Sequence, residues 1–143
     1  MGKKYEDEHE ALTELRKLVQ RLPQETPAEV RLRTIVEAML YAVICANEKG
    51  KITFWNSGAE HLFGWGQEIL GQPIETIIPE HLREMHRKGF EHYLSTGEGA
   101  LMGRTTKSVG LHKSGLLFAI EIALSATGPS GLREFVTLIK RDG

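Results

Sequence analysis

The chain is expected to fold as an α+β domain in which two strands, a run of helices and three more strands follow a helical N-terminal extension. Three observations predict this. Apolar residues alternate with period two in short runs at both ends of the domain, a period of about 3.6 takes over between them, and glycine-bearing polar turns separate neighbouring strands.

Residues 1–27 are expected to be an amphipathic helix and linker, and 28–143 the domain, with a break where QETP supplies a polar turn. From Tyr5 onward, Leu12, Leu15, Val19 and Leu22 recur at 3-4-3 spacing, a two-heptad seam too short for stable isolated pairing. This helix either dimerises with help or folds back on the domain. A second helix, roughly Ala28 to Met39, starts behind Thr26 as cap and Pro27 at the first helical position. YAVICA and ITFW then form a hairpin closed by Asn47 to Lys51 and its Gly50. Asn56 caps a short helix that buries Ala59, Leu62 and Phe63 and ends near Gly64, and short turns lead to Ile78. A long helix from about Glu80 to Leu94 is stopped by Ser95, Thr96 and Gly97. Strands follow at roughly Gly103 to His112, Leu116 to Ala126 and Arg133 to Arg141, separated by HKSG and TGPSG turns.

Composition narrows the function classes. A chain of 143 residues, 41% hydrophobic and 26% charged, supports one domain with a real core. A formal net charge of -1 supplies no field toward nucleic acid, and no basic patch interleaves with aromatics. The longest apolar run, Ala38 to Ala46, falls short of half a bilayer span, and MGKKYEDEHE is charged where a signal peptide is apolar, so no membrane span and a cytoplasmic location are expected. The lone Cys45 allows no internal disulfide and reads as an inert packing thiol in AVICA. No phosphate loop, nucleophile elbow or recognisable carboxylate pair supports catalysis, so no enzyme activity is expected. His9 and Glu10 read as solvated helix, and His61 and His112 as exposed side chains.

The long helix is the most informative element. Ile78, Leu82, His86, Phe90, Tyr93 and Leu94 fall along one stripe, so His86 points toward core or pocket. A buried imidazole needs a hydrogen-bond partner or a metal, and either answer fits this position. His81, His86 and His92 are spaced five and six apart, which turns neighbouring residues onto different helix faces and disfavours a non-haem metal site.

The order of elements resembles the PAS sensory family. The resemblance is carried by NSGAEHLFGW at Asn56 to Trp65, EILGQPIETIIPEHLR, TGE at Thr96 to Glu98, HKSGLLF at His112 to Phe118 and the final TLIKRDG. It implies a five-stranded antiparallel sheet with helices on one face and a ligand pocket beneath them. It further implies control of a linked or partner effector such as a histidine kinase or diguanylate cyclase, which this chain is not expected to contain.

Within that family PEHLREMHRKGFEHYLSTGE is similar to FixL-type haem PAS domains. That similarity implies haem b with His86 as axial ligand to the iron, a slot walled by Ile77, Leu82, Phe90, Leu101, Ile122 and Leu124, and a diatomic gas on the opposite side. Thr106 stands where those domains carry an arginine. Arg104, two residues away, either faces the same pocket, toward a ligand or a haem propionate, or is a solvated strand-end arginine. The cysteine of the flavin-linking photosensory branch is absent from its helix, leaving only non-covalent flavin, with Trp55 and Trp65 as stacking partners. The expected function is a sensory PAS module, a haem-based gas or redox sensor, working as a homodimer through its N-terminal helix and sheet. The alternative is a cofactor-free or small-metabolite-binding PAS domain acting mainly in dimerisation.

Overall fold

The computed structural model describes residues 11–13, 26–38, 41–99 and 101–142. Two compact units divide it, Met1–Ile35 and Val36–Gly143. Helix α1 (Pro27–Ala38) crosses that division. Its start is a capping box: Glu29 N–H donates to Thr26 Oγ1 (3.1 Å), and Thr26 N–H to Glu29 Oε2 (3.3 Å). Of the proposed N-terminal seam, Leu12 is exposed, while Leu15, Val19 and Leu22 lie outside the described residues, as do His9, Glu10 and Met39.

The second unit holds strands β1 (Ala42–Asn47) and β2 (Ile52–Trp55), helix α2 (Ser57–Phe63), helix α3 (Glu80–Thr96), and strands β3 (Thr105–Leu111), β4 (Leu117–Thr127) and β5 (Glu134–Arg141). Two 3-10 turns, Gln67–Ile69 and Ile74–Ile77, stand between the last two helices. The strands form one antiparallel five-stranded sheet in the order β2-β1-β5-β4-β3.

Local chemistry explains the joints. Asn47 Oδ1 accepts the Lys49 and Lys51 N–H groups (3.0 and 3.1 Å) and Gly50 takes φ 73°, which closes the first hairpin. Asn56 is buried. Its Oδ1 accepts Val43 N–H and Ala59 N–H, both at 2.9 Å, and its Nδ2 donates to Tyr41 O at 3.1 Å, tying α2 to the start of β1. A Cβ on Gly58 would run into the carbonyl of Tyr41, so the same junction requires glycine. Helix α3 runs through Thr96, past the expected stop at Leu94, because the Ser95 and Thr96 hydroxyls donate back to the Glu91 and His92 carbonyls.

The strand register places Ala42, Ile44, Ile120, Ile122 and Ile139 on one face, where Trp55, Ala59, Phe63, Ile69 and Ile77 complete the core. Phe63 has no exposed surface and packs against Trp55 and Phe118 with ring centroids 5.7 and 5.4 Å away. Cys45 pairs with Val136, on the register opposite to that core. Burial, followed by the Glu134 carboxylate, pushes its thiol up to about 11, so the thiolate is scarce at neutral pH.

Candidate ligand site on helix α3

Helix α3 presents its apolar stripe as its periodicity predicts. Leu82, His86, Phe90, Tyr93 and Leu94 are half-buried, and among the remaining positions only Arg83 is similarly covered. None of the helix's 17 residues is fully buried, so the element rests on the domain without sinking into it. Its first turn is held by Arg83 Nε donating to Ile78 O (3.0 Å) and its middle by Arg87 paired with Glu75 (3.4 Å). Toward its C-terminus, Phe90 and Tyr93 meet the buried Phe135 of β5 at 5.0 and 5.4 Å between centroids.

His86 lies between these attachments. Its ring stacks on Phe90 (6.0 Å, 21°), and its Nδ1 is buried without a hydrogen-bond partner. Burial lowers its pKa below the usual 6.5; the Glu75 carboxylate opposes this and Arg87 reinforces it. The folded protein therefore favours a neutral imidazole. Because the folded pKa lies below the unfolded one, the unfolded chain binds the proton first as pH falls. Stability is expected to be full above 6.5 and to decline as pH drops through the lower folded pKa. Denaturant midpoints measured across this range should show a smaller decline in His86→Gln than in the parent.

Ile77 is buried, and Leu82, Phe90, Ile122 and Leu124 are half-buried. Thr106 is half-buried directly opposite Ile122, on the core-facing register. Leu101 and Arg104 are exposed and stand outside this group. Arg104 lines a groove of ≈ 330 Å³ with Thr105, Ala123, Val136 and Leu138 of the other sheet register, and Leu124 borders the same groove. The reason is local: β3 begins only at Thr105, so Arg104 stands before the strand and strand alternation does not carry the facing of Thr106 back to it.

Trp55 belongs to the core and donates Nε1–H to Trp65 O (2.8 Å), whereas Trp65 is half-buried with its own Nε1 unpartnered and Lys113 Nζ 4.9 Å from its ring centroid. His112, expected to be exposed, is half-buried. Its Nδ1 accepts Ser114 N–H (3.0 Å), and its ring occupies the space that a Cβ on Gly64 would need. Phe135, Glu75 and Arg133 bear on the site without having been singled out from the sequence. Only Phe135 left a signal there, as the first of the alternating positions Phe135, Thr137 and Ile139.

Among the described residues no helix is long and apolar enough to cross a membrane. Residues 30–94 match the PAS domain family. The folded unit is a PAS domain. PAS domains are regulatory input modules of signalling proteins. This one is 35% identical over 115 residues to an uncharacterized protein of Azorhizobium caulinodans, covering 79% of the chain and 16% of the relative. It is 26% identical over 113 residues to sensor protein FixL of Bradyrhizobium diazoefficiens, covering 78% of the chain and 22% of the relative. The chain thus spans less than a quarter of either curated relative. Among solved structures, the PAS domain of a protein from Colwellia psychrerythraea superimposes with a TM-score of 0.63 at 19% identity, over 79% of this chain and 96% of that one, a likeness of fold alone.

Proposed function

We propose that this PAS domain is the sensory input of a signal-transduction protein, and that it holds haem b through His86, as the similarity to FixL-type domains implies. The observation that carries this reading is the buried, unpartnered Nδ1 of an imidazole that burial keeps neutral. Such a nitrogen costs about 1–3 kcal/mol when nothing bonds it, and a neutral imidazole is the donor that haem iron requires. The residues present therefore fit the group on its proximal side. Haem bound there would supply an iron able to bind a diatomic gas or to change redox state.

The chain's own residues do the rest. Phe90, one turn after His86, stacks on its ring, and in this reading Leu82, Ile77, Ile122 and Leu124 are the apolar residues that would wall the slot. Thr106 brings a hydroxyl, not a cation, to the core-facing register. The exposure of Arg104 favours the solvated alternative for that residue. The effector is a covalently linked or partner domain, and the location cytoplasmic.

The test is the absorption spectrum of protein purified with haem precursor supplied and again after adding haemin. A Soret band that shifts on reduction and on exposure to carbon monoxide is the expected result. A featureless spectrum after haemin addition overturns the haem reading in favour of a dimerisation module with a small metabolite or no ligand. That second reading is favoured by Leu32 and Ile35, three residues apart on α1 and 64% and 52% exposed, which offer an apolar stripe to a second copy.

A further inference from the structure

Arg133 lies outside every motif the sequence displays, yet it joins three separate segments. Its Nη1 donates to the Tyr93 and Leu94 carbonyls (both 3.4 Å) in the closing turns of α3, and its guanidinium lies 5.3 Å from the centroid of the Tyr93 ring. Nη1 is also 4.0 Å from Glu48 Oε1, in the turn between β1 and β2. The same Glu48 oxygen accepts Gly131 N–H (3.1 Å) from the turn between β4 and β5. Both charged side chains are largely covered, at 16% and 20% exposure.

Helix C-termini carry a partial negative charge, and the guanidinium answers it here through Nη1 alone, which reaches the Leu94 carbonyl and the Tyr93 carbonyl that already accepts Gly97 N–H (2.8 Å). Helix α3 has no fully buried residue of its own to anchor it. Its sheet-side contacts with Phe135 involve Phe90 and Tyr93, and Phe90 is the ring on which His86 stacks. A shift of the helix end therefore moves the ring beside His86.

We propose that Arg133, held by Glu48, is a positioning residue that latches the C-terminal end of α3 and thereby sets where the His86 ring stands. It makes the two turns that carry Glu48 and Gly131 a point from which the site is controlled. Its bearing on ligand binding rests on the haem reading above, but the latch itself is tested without haem.

Arg133→Gln is expected to speed hydrogen exchange of the amides of residues 91–97 about tenfold while strands β4 and β5 stay within about twofold. It should also shift the His86 Cε1 proton resonance, which feels the Phe90 ring current. Glu48→Gln should move both readouts less, in the same direction, and Arg133→Lys should restore part of the loss. Val43→Ala, in β1, serves as a control for general destabilisation and should leave the His86 resonance unchanged. Unchanged α3 amides, equal acceleration of helix and sheet, or a His86 resonance that moves as far in the control overturns the latch. A parent protein that takes up no haem overturns the haem reading alone.

Discussion

His86→Ala is expected to weaken haem binding by at least a hundredfold, roughly the upper end of what losing even an outer partner of a metal ligand costs, while leaving the domain folded. The reason lies in where the side chain sits. His86 is half-buried on a helix that has no fully buried residue, so its loss opens no closed core cavity. It also removes a buried nitrogen that lacks a partner, which offsets part of the packing lost against Phe90. The net change in stability should stay within about 1 kcal/mol. Haemin titration followed at the Soret band, with circular dichroism on the same samples, measures both quantities. His81→Ala is the matched control, an exposed histidine on the same helix, and should bind haem as the parent does. Stoichiometric haem retained by His86→Ala, with the same spectrum, would exclude this residue as the axial donor.

Asn56→Ala should have the largest effect on folding, a loss of about 2–4 kcal/mol. Three bonds disappear together: two N–H groups, of Val43 and Ala59, lose their acceptor, and the Tyr41 carbonyl loses a donor. The N-cap alone is worth about 1 kcal/mol, and burying an unpaired amide costs about 1–3 kcal/mol more. Asn56 is only 1% exposed, so bulk water does not replace the lost groups. Asn56→Asp keeps the acceptor but turns an oxygen toward the Tyr41 carbonyl, and should recover only part of the loss. Urea midpoints read this directly. A shift worth less than about 1 kcal/mol would mean that the junction of β1 and α2 is held mainly by backbone and packing.

The features legible in the sequence are those governed by neighbours within a turn or two. Thr26 with Glu29, Asn56 with Ala59, the left-handed Gly50 and Gly64, and the alternation of Phe118, Ile120, Ile122 and Leu124 each follow from contacts over a few residues. The helix stripe was legible for the same reason: a period of about 3.6 assigns Leu82, His86 and Phe90 to one side whatever lies opposite. The end of that helix was not, because serine and threonine favour caps by propensity but here turn their hydroxyls back to the preceding turn's carbonyls.

The sequence by itself determined element types, hairpin turns, the inward facing of His86 and the core positions of the strands. Only the tertiary structure decided what stands beside His86, where Arg104 goes and what holds the end of α3. Phe135 reaches Phe90 across 45 residues of chain, and Arg133 reaches Tyr93 across 40. Arg104 is exposed and stands one residue before β3 begins, where period-two reasoning no longer applies. Periodicity and capping are local and repeat from chain to chain, whereas pairings of this kind depend on how strands and turns meet in space.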